Sequence, residues 1–70
     1  MSIEVVKKYA ESQLMAIKGV VGVSTAYNPL TRQWVLKVYV ESEEVKRVIP
    51  RVFMGVPVEV VVTGPVGLLR

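Results

Sequence analysis

"VVGVSTAYNPLTRQWVLKVYV", Val20 to Val40, decides the fold because it holds two alternating segments on either side of a turn. Apolar and small or polar residues alternate from Val20 to Tyr27 and again from Gln33 to Glu41, which is the two-residue period of half-buried strands. Between them, "NPLT" offers an asparagine side chain that can bond its own backbone and a proline that presets φ. The segment predicts an antiparallel hairpin.

Two aromatic residues flank this turn, Tyr27 before it and Trp34 after it, with Arg32 between them. Aromatic side chains around a basic one are typical of nucleic-acid contact surfaces. However, Trp34 shares a strand face with the most apolar residues of the chain, which are Leu36, Val38 and Val40. We therefore expect Trp34 to be buried beneath the helices, with Tyr27 packed across the hairpin from it, so that truncating Trp34 to alanine would cost about 3–5 kcal/mol.

The segments outside the hairpin predict two helices and a third strand. Ser2–Lys18 shows the three- and four-residue spacing of an amphipathic helix, with Gly19 as its left-handed stop. Ser42–Ile49 predicts a short helix, "PRVFM" a turn ended by Gly55, and Val56–Thr63 a strand. The predicted fold class is α+β: a two-layer sandwich over residues 1–63, in the order α-β-β-α-β. Its three-stranded mixed sheet has both helices on one face, and the third strand lies beside either the first or the second.

The second face of that sheet is neither a clean core nor a clean surface. Val35, Tyr39 and Val61 point there together with charged residues, and the tail "GPVGLLR" (residues 64–70) adds Val66, Leu68 and Leu69. A domain of 70 residues has a core that supplies only about 3–5 kcal/mol, and small domains often add a disulfide, a metal or a partner subunit. We therefore expect a homo-oligomer, a dimer or higher, that buries these six residues, with the tail docked on its own sheet or on a partner subunit.

The absence of three residue types excludes much chemistry. The chain has no cysteine, histidine or aspartate, so a serine triad, a cysteine nucleophile and an ordinary zinc or iron site are excluded. Of the six glutamates, Glu41, Glu43 and Glu44 cluster where a helix start favours negative charge. We expect no enzymatic activity, no cofactor and no metal.

Composition also bears on location and source. The N-terminal "MSIEVVKKYAESQ" has charges inside its apolar pattern, and the apolar runs are too short to span a membrane. We therefore expect a cytoplasmic protein without a membrane anchor. The scarcity of heat-labile residues fits a thermophilic source.

The net charge of +3 becomes informative only where the basic residues cluster. Lys46, Arg47 and Arg51 form such a cluster, which Arg32 or Lys37 could extend. Because Lys46 and Arg47 also complement the dipole at the end of their helix, they have an explanation without a ligand. Nucleic acid is thus a possible but not favoured partner, and peptide or small-ligand binding at the sheet edge is a further alternative.

Two short patterns resemble those of known families, but each departs from its family in a defining feature. "GVVG" (residues 19–22) has the GxxG form of KH domains, but there the motif joins two helices, whereas here it joins a helix to a strand. The element order is similar to heavy-metal-associated and NifU-type domains, whose Cys-x-x-Cys pair is missing here.

A longer resemblance runs from Val20 to Gly64. "VVGVSTAY", "LKVYVE", "VIP" and "GVPVEVVVTG" resemble, in that order, a segment that precedes some bacterial trypsin-like serine peptidase domains. The family segment tends to have further glycines where Ser24 and Thr25 stand. The resemblance implies a small α/β accessory module without proteolytic activity, here as a stand-alone archaeal version.

Overall fold

A computed structural model describes residues 2–64 of the chain. Two helices and four strands follow in the order α1 (Ile3–Leu14), β1 (Val20–Asn28), β2 (Gln33–Val40), α2 (Glu43–Lys46), β3 (Val52–Phe53) and β4 (Val56–Val62). The strands form a mixed sheet in the order β1-β2-β4-β3. The fold is thus α+β as predicted, but the sheet has four strands instead of three.

The predicted hairpin of β1 and β2 is confirmed. The two strands are antiparallel, and the Asn28 side-chain oxygen accepts a hydrogen bond of 3.0 Å from the Leu30 backbone N–H in the turn. Their register shifts between Val20 and Gly22, so Val20, not Val21, lies on the same face as Val23. This bulge keeps a valine at the buried end of β1.

The missed strand, β3, lies in the segment predicted as a turn. Phe53 pairs with Val56 across Met54 and Gly55, and both turn residues have positive φ, 51° and 81°. Two consecutive left-handed residues make the type I′ turn that matches the twist of a hairpin. β3 and β4 therefore form a second antiparallel hairpin, and β4 pairs in parallel with β2 on its other side. This places the third predicted strand beside the second.

One core cluster joins the helices to the sheet. The buried side chains come from α1, from the start of β1, from alternate residues of β2 and from the segment after α2: Val6, Ala10, Leu14, Val20, Leu36, Val38, Val40 and Ile49. Val45 of α2 and alternate residues of β4 pack against the same cluster. The sheet therefore has an inner face, toward this core, and an outer face on its other side.

Both helices begin at a serine, as predicted, but end early. The side-chain oxygens of Ser2 and Ser42 accept hydrogen bonds from the backbone N–H groups three residues on. α1 ends at Leu14 instead of Lys18, because the chain continues in tighter turns in which the N–H of Ile17 bonds the carbonyl of Leu14. Gly19 has the predicted positive φ, 97°.

Candidate functional site

The outer face carries the three strand residues predicted for an oligomer interface. Tyr39 and Val61 are register partners on β2 and β4, and Val35 is the partner of Ala26 on β1. All four are partly buried within the single chain, because neighbouring strand residues shield them. The structure therefore brings Val35, Tyr39 and Val61 together on one face, as the alternation predicted.

Polar contacts on the outer face are made within the chain. The Tyr39 hydroxyl and the Ser24 hydroxyl lie 3.2 Å apart. The Lys37 ammonium lies 3.7 Å from a carboxylate oxygen of Glu59, its register partner on β4. The two ion-pair side chains stay 36% and 60% exposed, and such a surface pair contributes at most about 1 kcal/mol. The outer face thus combines apolar side chains with one hydroxyl pair and one ion pair, each satisfied within the chain.

The remaining interface residues predicted from the tail, Val66, Leu68 and Leu69, lie outside the described residues. The chain reaches that tail through Thr63, whose backbone N–H donates a 2.8 Å hydrogen bond to the Val40 carbonyl. The Thr63 hydroxyl also donates to the same carbonyl, at 3.2 Å. Thr63 therefore fixes the end of β4 against the end of β2.

Three of the four predicted basic contact residues line one cleft. Lys46, Arg47 and Arg51 are exposed side chains around an open cleft of about 520 Å³ between α2 and β4. Arg32 lies in the turn between β1 and β2 and does not line this cleft. The basic cluster therefore contains three of the four residues predicted from the sequence, without Arg32.

The cleft has an apolar floor that sequence reasoning did not find. Its other lining residues are Ile49, Pro50, Val58 and Val60, with the carboxylates of Glu43 and Glu59 also present. From the sequence alone, the alternation of Val58 and Val60 predicts a strand but not a cleft. Their place beside the basic cluster depends on the crossover that sets β4 next to β2.

The aromatic pair at the hairpin end corrects a prediction. Tyr27 and Trp34 are register partners with ring centroids 5.4 Å apart at 64°, so they pack across the hairpin as expected. Trp34 is nevertheless 45% exposed and Tyr27 49% exposed, so the predicted burial beneath the helices is wrong. Ile3 and Val6 in the first turn of α1 share a shallow cleft of about 240 Å³ with Trp34 and do not cover it.

The described part of the chain has neither a metal-binding cluster nor a membrane-spanning helix. Residues 2–64 contain no group of three or more acidic, histidine or cysteine side chains placed to hold a metal ion. Neither helix of that range has the length and apolarity needed to cross a membrane.

Comparison with protein-family models, curated proteins and solved structures finds no match for this chain. The resemblance to the segment preceding serine peptidase domains therefore stays a prediction from the sequence.

Proposed function

We propose that this chain is a non-enzymatic, self-associating domain whose outer sheet face packs against the same face of a second copy. The observation that carries the proposal is the adjacency of Val35, Tyr39 and Val61 on a face that the helices leave uncovered. With eight buried hydrophobic residues described in the core, additional burial between subunits would add substantially to stability.

Charge supports a second copy as the occupant of this face. Lys37 and Glu59 lie side by side on the outer face, so their opposite charges cancel locally. Across a two-fold axis, a contact of one residue with a second residue of the other subunit is matched by the reverse contact. Such an axis can therefore place Lys37 of one copy against Glu59 of the other, which makes the face complementary to itself.

The apolar tail is included in the proposed interface. Thr63 holds the end of β4 at the carbonyl of Val40, one residue beyond Tyr39 on β2. The tail therefore begins near the Tyr39–Val61 end of the outer face, where Val66, Leu68 and Leu69 can extend the area buried between subunits.

Light scattering of the chain at tens of micromolar tests self-association. We expect the mass of a dimer or a higher oligomer, and a reduction of that mass by Val35→Lys or Val61→Lys. Val5→Lys is the matched control, because Val5 is 42% exposed on α1 and lies off the outer face. A monomeric mass for the unaltered chain would refute the proposal.

Charge reversal tests the pairing of identical faces. Lys37→Glu gives a face with two anions and Glu59→Lys a face with two cations, so each variant should repel its own copies and dimerise more weakly than the unaltered chain. An equimolar mixture should recover the dimer mass, because the two variant faces are complementary. If each single variant dimerises as strongly as the unaltered chain, the outer face is not the interface.

A further inference from the structure

The edge of β4 away from β2 has backbone groups that no strand within residues 2–64 covers. The Val58 N–H donates to the carbonyl of Arg51, on the β3 side, at 2.8 Å, whereas the Thr63 N–H donates to Val40 of β2. Since strand residues alternate in direction, Val60 and Val62 direct their N–H and C=O groups away from β2. β3 pairs only as far as Pro57, and no backbone hydrogen bond within residues 2–64 reaches Val60 or Val62 from that side.

The basic cleft lies along this open edge. Val58 and Val60 form part of its floor, and Lys46, Arg47 and Arg51 surround it. Of its two carboxylates, Glu59 is paired with Lys37, which leaves Glu43 against three cations. A chain segment that lies along β4 therefore meets apolar surface and a net positive charge.

We propose that the β4 edge binds an extended acidic peptide segment of a partner protein as an added strand. The backbone of the peptide exchanges hydrogen bonds with Val60 and Val62, which continues the sheet beyond β4. Because strand side chains alternate between faces, one alternate set of the peptide faces the cleft, and acidic side chains in that set lie near Lys46, Arg47 and Arg51. This binding site differs from the outer face used for self-association, and Glu59 lies at the border between the two.

The charges select this occupant over two others. A second copy that pairs through its own β4 edge would bring two sets of three cations together, which is repulsive at close range. Single-stranded nucleic acid would supply anions, but the lining of the cleft contains no aromatic side chain on which bases stack. Only a peptide supplies both the anions and the alternating backbone donors and acceptors that Val60 and Val62 can use.

The test is fluorescence anisotropy with a labelled peptide of about eight residues that alternates glutamate and valine, longer than a typical strand of about 5–6 residues. We expect saturable binding, and no binding of the matched peptide that alternates lysine and valine.

Protein variants test the role of the cations. Arg51→Glu should weaken binding of the acidic peptide about tenfold. Arg32→Glu, a matched change outside the cleft, should leave the affinity within about twofold. Equal affinity for both peptides, or equal loss in both variants, would overturn the proposal.

N-methylated peptides test strand addition without altering the protein. Methyl groups on one alternate set of peptide amides remove the N–H groups that face β4, whereas methyl groups on the other set leave them intact. One of the two methylated peptides should therefore lose binding while the other retains it. Equal binding of both would show that charge attraction alone holds the peptide and would reject the added strand.

Labelled single-stranded DNA is the probe for the alternative partner. Binding of this DNA without binding of the acidic peptide would also reject the added strand, in favour of a nucleic-acid site.

Discussion

Tyr27 and Trp34 face each other across the hairpin, ring edge toward ring face, with 5.4 Å between their centroids. Each ring is about half exposed, so the pair stabilises the end of the hairpin mainly through mutual contact. An aromatic pair of this kind contributes about 0.5–1.5 kcal/mol beyond the area that it buries.

Trp34→Ala should therefore lower the free energy of unfolding by about 1–2 kcal/mol, less than the roughly 3–5 kcal/mol typical of a fully buried ring. Urea unfolding followed by circular dichroism measures the loss without relying on tryptophan fluorescence. Tyr27→Phe keeps the ring and should change stability little. A loss above about 4 kcal/mol for Trp34→Ala would mean that the ring is buried in solution.

Two leucines of the β2 region provide a matched pair for the core. Leu36 is fully buried in β2, whereas Leu30 is 93% exposed in the preceding turn. Leu36→Ala should destabilise the domain by about 2–5 kcal/mol, enough to unfold much of it at moderate temperature. Leu30→Ala should stay within about 0.5 kcal/mol. Thermal melts of both variants check the difference, and similar melting temperatures would contradict the placement of Leu36 in the core.

Alternation along a strand predicted the face of Leu36 and Trp34 but not their burial. The pattern of β2 assigned Leu36 and Trp34 to the same face, and the register confirms that both lie there. Burial, however, requires another element above the side chain, and the first turn of α1 lies beside Trp34 without covering it. Periodicity predicts the direction of a side chain but not the extent of the layer that covers it.

β3 was missed because its turn lacks the usual sequence signal. Type I′ turns are normally marked by Asn-Gly or Asp-Gly, whereas here Met54 takes the first left-handed position. The basic cleft was predicted only as a cluster of cations, since its apolar floor depends on the pairing of β4 with β2. Contacts set by a crossover between distant segments are not visible in local patterns.

Gly19 should tolerate no side chain, for two separable reasons. Its φ of 97° is unfavourable for alanine, and an added Cβ would lie 2.4 Å from a methyl carbon of Val45. Gly55 has a similar φ of 81°, but no atom of the described residues lies within 4 Å of the corresponding position. Gly55→Ala should therefore lose only the backbone contribution of about 1–2 kcal/mol, and Gly19→Ala a further 1–3 kcal/mol or so from overpacking.

Val45→Ala tests whether the extra destabilisation of Gly19→Ala comes from overpacking against Val45. It removes the methyl groups that an alanine at position 19 would meet. In a double-mutant cycle, Gly19→Ala should be less destabilising in the Val45→Ala background than in the unaltered chain, by about 1 kcal/mol or more. Chemical denaturation of the four proteins gives the coupling energy. Additive effects would show that the side chains of α2 do not approach Gly19 as the structure indicates.

The direction of the β4 backbone predicts an alternating pattern of amide exchange. The N–H of Thr63 bonds Val40, and that of Val61, two residues earlier, points toward β2 in the same way. The N–H groups of Val60 and Val62 point to the open edge.

Hydrogen exchange followed by NMR on dilute protein should therefore show slow exchange at Val61 and Thr63 and fast exchange at Val60 and Val62. Val58 is the internal control, because its N–H bonds Arg51 on the edge side and should be protected. Slow exchange at Val60 and Val62 in a dilute sample would mean that this edge is already paired, which would remove the backbone groups that an incoming strand needs.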